Sequence, residues 1–114
     1  MSPVPDRAEL ARSVYRAFAA GDRDRIEQLL APDFEFFSPP DPGLDRDGYF
    51  ERCWPNAGNG TYFEFVRLIE SGEEMIVTYE GTRDDGTRFR NTEVLGFEGD
   101  KIVKTEVYFG WDLD

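Results

Sequence analysis

Residues 87–111, TRFRNTEVLGFEGDKIVKTEVYFGW, decide how this chain folds. From 87 to 97 the odd positions are Thr87, Phe89, Asn91, Glu93, Leu95 and Phe97; the even ones are Arg88, Arg90, Thr92, Val94 and Gly96. A strand turns successive side chains to opposite faces, so the odd set is the one that faces a core. Residues 101–111 repeat the alternation, with Val103, Thr105, Val107, Phe109 and Trp111 on one face and Lys104, Glu106 and Tyr108 on the other. The two runs read as a β-hairpin. Its apolar stripe carries a carboxylate, Glu93, and burying a charge without a partner is costly. Glu93 is therefore the first candidate for function.

Working outward, Asp84-Asp85-Gly86 joins this stretch to a preceding strand, 73–83. A three-residue loop of that kind, a type I turn with a glycine bulge, pairs Arg83 with Thr87. It sets Tyr79 beside Asn91, Val77 beside Glu93 and Met75 beside Leu95. A three-residue loop Glu98-Gly99-Asp100 pairs Phe97 with Lys101, Leu95 with Val103 and Glu93 with Thr105. Two-residue loops set Leu95 against Ile76 and Lys104 and mix the faces, so the three-residue registers are expected. With 61–70 ahead of them, these strands form a four-stranded antiparallel meander. Tyr62, Phe63 and Phe65 put aromatics on both faces of that first strand, whose parity stays open.

The N-terminal half is helical. After a short tail, 1–5, residues 6–20 place Leu10, Ala11, Val14, Tyr15, Ala17 and Phe18 at helical spacing, with Asp6 to cap the start and Gly21 to close the end. Asp22 caps a second helix, with Ile26, Leu29 and Leu30 inward and Pro32 as its stop. Residues 33–38 read as a short strand. The run Pro39-Pro40-Asp41-Pro42-Gly43 reads as a stiff loop that cannot continue it. A third helix is expected over 45–54, ended by Pro55, and then a flexible connector over 56–60. The expected architecture is a single α+β domain, core about 6–112, with three helices covering one face of a curved, mostly antiparallel sheet. The sheet's other face is either solvated or packed against the sheet of a second subunit.

Composition narrows the function. A net charge of −11 over 114 residues argues against nucleic acid and against anionic lipid, which need a basic surface. One cysteine and no histidine exclude a disulfide framework, Cys/His zinc sites and any histidine-activated nucleophile. No run is long and apolar enough for a membrane span, and a cytoplasmic protein is expected. Aromatics make up 15% of the chain, which suits either an aromatic core or a greasy cavity.

The chain resembles the nuclear-transport-factor-2-like superfamily of cone-shaped α+β domains and, within it, the SnoaL-like proteins. The resemblance is carried by Phe18-Ala19-Ala20-Gly21-Asp22, Ser38-Pro39, Gly48-Tyr49-Phe50-Glu51-Arg52-Cys53-Trp54-Pro55, Phe89-Arg90-Asn91-Thr92-Glu93 and Gly99-Asp100-Lys101-Ile102-Val103 through Val107-Tyr108-Phe109-Gly110. It implies a pocket between sheet and helices and commonly a homodimer formed through the sheet. The functions it covers run from isomerases, cyclases and dehydratases to non-catalytic binding modules, so fold alone does not name a reaction. Ketosteroid isomerase uses an aspartate base with a tyrosine and a protonated aspartate as oxyanion donors. Aligned on Gly21-Asp22, the tyrosine position falls on Val14, with Tyr15 one place off on another helix azimuth. The base falls on Ser38 and the protonated aspartate on Glu93. The Arg-and-two-Asp arrangement of the related epoxide hydrolases is not visible either, with Arg16 or Arg67 as the arginines that could turn inward.

The site expectations follow. Glu93 reads either as a carboxylic acid whose pKa is raised by apolar neighbours, or as a structural carboxylate satisfied by Asn91, Thr105, Tyr79 or the Trp54 indole. Asn91, Thr105 and Tyr79 are its hydrogen-bonding helpers in the functional reading. Phe18, Trp54 and Phe109 are ligand-stacking walls or core aromatics. Ser38 is a wall residue or a strand-end cap, and Cys53 an ordinary packed thiol. The expected function is binding of a small, largely hydrophobic molecule, with no cofactor, in a homodimer. Acid–base chemistry on a carbonyl compound accompanies binding in one version. The alternatives are a non-catalytic binding module and a dimeric interaction protein with a filled pocket.

Overall fold

In the computed structural model, which describes residues 6–58 and 62–113, local sequence signals set the helix ends. The expected tail over 1–5, the Asn59-Gly60 end of the connector and the first residue of the 61–70 strand lie outside the described residues. Asp6 accepts from the backbone N–H groups of Ala8 and Glu9 to start α1 (Arg7–Ala20). Gly21, at φ +71°, takes the left-handed conformation that closes it. Asp22 accepts from the Arg25 N–H and starts α2 (Arg23–Leu29). Asp45 accepts from Gly48 N–H at 2.7 Å and starts α3 (Arg46–Arg52). That third helix is shorter than the expected 45–54: it ends before Trp54, where Pro55 leaves a separate 3₁₀ turn, Trp54–Asn56.

Six strands form one sheet in the order β2-β1-β6-β5-β4-β3. They are β1 (Leu30–Phe37), β2 (Pro42–Asp45), β3 (Tyr62–Ser71), β4 (Glu74–Thr82), β5 (Arg88–Glu98) and β6 (Lys101–Asp112). Every pairing is antiparallel except β1 with β6. α1 lies on β3 and β4 and α3 on β1, giving the expected cone-like α+β plan. Two expectations for the first strand region are corrected. β1 begins at Leu30 rather than 33, running through Pro32 where its ladder with β6 is interrupted. The loop that was expected not to continue a strand contributes β2: Pro42 sits at the first position of an edge strand, where its missing N–H is not needed.

The β4–β5 register is as the loop chemistry predicts, with Tyr79 opposite Asn91, Val77 opposite Glu93 and Met75 opposite Leu95. The β5–β6 register is not. Glu98 pairs with Lys101 across a two-residue turn, Gly99-Asp100, with glycine first at φ +63°, as a type II′ hairpin requires. Face mixing is avoided by bulges, which insert a single extra residue and reset parity. Val103 is the extra residue between Ile102, opposite Phe97, and Lys104, opposite Gly96. Leu95 therefore faces Thr105, and Glu93 faces Val107, not Thr105. A second bulge at Gly110 turns Trp111 to the side of Arg90, away from Phe109 and the core. A third, at Val66, lets Phe63, Phe65 and Leu68 all pack on the core side of β3.

The core between sheet and helices is built from Tyr15, Ile26, Phe34, Val77, Leu95 and Ile102, all nearly or fully buried, with their neighbours on the same faces. No helix among the described residues is long and apolar enough to cross a membrane. The Gly110 bulge admits no side chain: a Cβ there would stand 2.1 Å from the Arg90 carbonyl oxygen. Gly110→Ala is expected to destabilise the fold by about 2 kcal/mol, the usual cost of forcing atoms into filled space. Urea denaturation checks this; wild-type stability in the variant would mean that the bulge is not rigid.

Candidate functional site

The site grows from the odd face of β5. Glu93 stands at its middle, opposite Val77 and Val107, with apolar surface on both sides. Its carboxyl group is held by two phenols. Tyr79 of β4 donates to Oε2 at 2.6 Å and Tyr15 of α1 donates to Oε1 at 3.1 Å. Asn91, one turn of the pleat away, donates from Nδ2 to the Tyr79 hydroxyl oxygen at 3.4 Å. Its own Oδ1 accepts from the N–H of Gly110 at 3.2 Å. Four elements of structure thus converge on one carboxyl.

Burial pushes the Glu93 pKa above the ordinary carboxylate value, and the Tyr79 and Tyr15 hydrogen bonds oppose that rise without cancelling it. The tyrosines move with it. Burial raises both phenols, Tyr15 well above its usual range, and the nearby Glu93 charge raises them further. Burial pushes the Cys53 thiol up to about 11, with the Asp41 charge adding to it. A thiol so raised stays protonated and is a poor nucleophile.

Beside Glu93 the interior is open. A cavity of about 550 Å³ lies between the sheet and α1, α3 and the loop after β1. Glu93, Asn91, Tyr79, Phe18, Phe109 and Ser38 all line it. Phe109 stands at the mouth and is 60% exposed. Two expected site residues lie elsewhere. Thr105 is buried opposite Leu95, two residues along β6 from the carboxyl's neighbour Val107, and does not line the cavity. Trp54 stands behind the wall, its ring edge-on to Phe18 at 5.7 Å and to Phe50 at 5.9 Å. Neither Arg16 nor Arg67 turns in: Arg16 pairs with Glu9 at 2.8 Å, and Arg67 reaches Thr78 on the other side of the sheet. Arg83 is the one cationic residue lining the cavity among the described residues, and Asp84 beside it the one carboxylate besides Glu93. Both are exposed at the rim. No cluster of side chains suited to a metal ion occurs among the described residues.

Tyr15 is the group that the alignment on Val14 set aside. A helix repeats its inward face at i, i+4 and i+7, and Ala11, Tyr15 and Phe18 form that series. The tyrosine ring, edge-on to Phe63 and Phe65 at 5.5 Å, then spans the gap from helix to sheet. The i, i+4 spacing from Ala11 was the available signal. Phe89 was legible from strand parity alone; it lines the cavity from β5, under the guanidinium of Arg83 at 4.5 Å.

The family model of the SnoaL-like domain matches residues 11–105. Among solved structures, the chain is similar to a proposed ketosteroid isomerase from Kribbella flavida DSM 17836, with 17% identity over 94% of this chain and 79% of that one and a TM-score of 0.79. It is also similar to an NTF2-like protein of unknown function from Cytophaga hutchinsonii ATCC 33406, with 17% identity, coverage of 96% and 95% and a TM-score of 0.76. A third, AclR, a proposed hydroxylase from Streptomyces galilaeus, shares 15% identity over 95% and 91% of the two chains, with a TM-score of 0.76. At these identities the likeness is one of fold. No curated protein matches the sequence.

The raised Glu93 pKa has a signed consequence. A group whose folded pKa lies above its unfolded value stabilises the fold at pH below the unfolded value, and that contribution is lost as pH rises through the folded value. Glu93→Gln removes the ionisation and keeps the shape. Its melting temperature relative to wild type is expected to climb by several degrees between pH 5 and pH 8, measured by thermal unfolding. A difference that is flat with pH would show that Glu93 titrates as an ordinary carboxylate.

Proposed function

The chain belongs to the SnoaL-like domain family, and we propose that it binds a small, largely hydrophobic organic molecule in the cavity, with Glu93 meeting the ligand's polar group. The observation that carries this reading is open space of about 550 Å³ beside a partly buried carboxyl held by two phenols. A site of that size, walled by aromatic rings with few convergent polar groups, suits a ligand of drug-like dimensions. A protonated carboxyl donates a hydrogen bond, so the matching group on the ligand is an acceptor such as a carbonyl oxygen. Tyr15, whose hydroxyl donates to Oε1 in the free protein, can turn the same hydrogen to such an acceptor. A tyrosine paired with a protonated acid is the donor pair that the ketosteroid isomerase resemblance implies.

Turnover is the second reading, and the rise in the Glu93 pKa favours it, because a group poised nearer neutrality exchanges protons more readily. The chemistry would then be cofactor-free proton transfer on a carbonyl compound: isomerisation, dehydration or aldol cyclisation. Ser38 weighs against steroid-type isomerisation. It lines the cavity where that enzyme's base would stand, and serine is not a base at neutral pH. Binding therefore ranks ahead of turnover.

A homodimer through the sheet belongs to the same proposal, as does a cytoplasmic location. On the outward face of the sheet, Tyr108 and Trp111 of β6 and, at the far edge, Ile69 of β3 are about half exposed or more, and exposed apolar groups of that size favour a covering partner.

Native mass spectrometry of the purified protein reads both subunit number and any co-purified molecule. A neutral aromatic ketone, 2-acetylnaphthalene, serves as the probe ligand. It is expected to raise the melting temperature of wild type, and Glu93→Leu is expected to weaken its binding about tenfold, the worth of one hydrogen bond. Loss of turnover in Glu93→Gln with binding kept would favour the enzyme. A protein that neither carries a ligand nor responds to the ketone would overturn the reading.

A further inference from the structure

The hydrogen bonds around Glu93 run in one direction, and a backbone group at their far end sets that direction. Gly110 N–H can only donate. It points at Asn91 at 3.2 Å, so the Asn91 atom facing it is the carbonyl oxygen and the amide orientation is settled. The atom facing Tyr79 is then Nδ2, which has hydrogens and no available lone pair. Tyr79 must accept there, and its single hydrogen must go to Oε2 of Glu93 at 2.6 Å. An oxygen that accepts a short hydrogen bond from Tyr79 is not the one that carries the proton of a neutral carboxyl.

We infer that Asn91 is a positioning residue: anchored by the Gly110 bulge, it commits Tyr79 to Oε2 and thereby confines the exchangeable proton of Glu93 to Oε1. The bulge is integral to this. Gly110 is the extra residue in β6, outside the regular pairing with β5, which leaves its N–H for the Asn91 side chain. Only glycine fits there. The consequence is that Tyr79 is spent within the protein. Tyr15 donates to Oε1 of the carboxylate at 3.1 Å, but among the described residues it has no donor aimed at its own oxygen as Asn91 is at Tyr79, so its hydroxyl can reverse and accept when Oε1 carries the proton. The edge formed by Oε1 and Tyr15 is therefore the one that exchanges protons. This goes beyond the proposed ligand role and concerns the free protein, so it stands even where no ligand binds.

The groups facing Glu93 allow a clean titration. Tyr15 comes from α1, Tyr49 from α3, Cys53 from the end of α3 and Tyr79 from β4, while β6 brings only Val107. All four titratable neighbours are raised, the Cys53 thiol to about 11. The rim adds Arg83 and Asp84, both in water.

The test follows the Glu93 carboxyl carbon by ¹³C NMR against pH, in wild type, Asn91→Leu, Tyr79→Phe and the double variant. Without the Asn91 donor, Tyr79 can rotate and accept from Oε2, giving neutral Glu93 a second place for its proton. The Glu93 midpoint is expected to rise by at least about 0.3 unit in Asn91→Leu, a factor of two for the second oxygen, and further as Tyr79 loses the polarisation that Asn91 lends it. In the Tyr79→Phe background the same substitution is expected to add nothing, because its effect passes through the missing hydroxyl. An unchanged midpoint in Asn91→Leu would overturn the inference. So would a shift of equal size in both backgrounds, the mark of a residue that merely supports the bulge. Should Asn91→Leu not fold, the wild-type Asn91 carboxamide protons decide: they are expected to move downfield with the Glu93 midpoint, and their indifference to that titration would count against it.

Discussion

Glu93 sits where the fold can least tolerate an unsatisfied charge, at the centre of the face that β5 turns towards the helices, between Val77 and Val107. Taking a carboxylate out of water costs several kcal/mol unless hydrogen bonds replace the solvent. The protein supplies two phenols, one from β4 and one from α1. That solution ties the helix to the sheet through Tyr15, fixes Tyr79 against its cross-strand partner Asn91, and requires a glycine at the β6 bulge to anchor Asn91 in turn. Much of the geometry around the cavity follows from satisfying this one group. The satisfaction is incomplete, since burial still outweighs the hydrogen bonds in the group's proton affinity. A carboxyl so held can exist neutral or ionised with modest rearrangement, which is the property a proton-exchanging or hydrogen-bonding site needs.

Strand parity was readable wherever the ladder is regular. The alternation from Phe89 to Phe97 and the Asp84-Asp85-Gly86 loop together place Glu93 and bring Tyr79 to Asn91, as observed. β6 was not readable, because its two extra residues, Val103 and Gly110, look like ordinary strand members. The Val103 bulge and the tighter turn shift the pairing and bring Ile102 to the core, while Thr105, Val107 and Phe109 keep the expected face; the Gly110 bulge takes Trp111 off it. Thr105 for this reason sits beside Leu95 instead of Glu93, and Trp111 points away from the cavity. Gly99 was the clue to the tighter turn, since a glycine in first place belongs to a two-residue loop. β2 was hidden by Pro42 and Gly43, residues that oppose a central strand and are tolerated at an edge. Tyr15 escaped the alignment because a one-residue offset on a helix changes azimuth by about 100°. The contact depends on where α1 crosses β3 and β4, which no local pattern states.

The family and the fold are shared with proteins whose chemistry differs, and the departures in this chain matter as much as the likeness. In the proposed correspondence with ketosteroid isomerase, Glu93 stands at the position of the protonated aspartate. The base position holds Ser38, and the donor tyrosine arrives from Tyr15 rather than from the aligned Val14. Rim charges are sparse, with Arg83 lying over Phe89 and paired to Asp112 at 3.4 Å. Arg83 so engaged offers little to an anionic ligand, and the chain's net charge of −11 disfavours one further. The proposed ligand, a neutral, mostly apolar molecule with one acceptor group, is consistent with both the walls and the field.

The most direct test of this account is the ¹³C resonance of the carbonyl carbon in 2-acetylnaphthalene labelled at that position and bound to the protein. Hydrogen bonds from Glu93 and Tyr15 would polarise the carbonyl, and the account predicts a resonance downfield of that in an apolar solvent, with the displacement lost in Glu93→Leu. A bound ketone whose carbonyl resonates as it does in hydrocarbon, unchanged by that substitution, would contradict it.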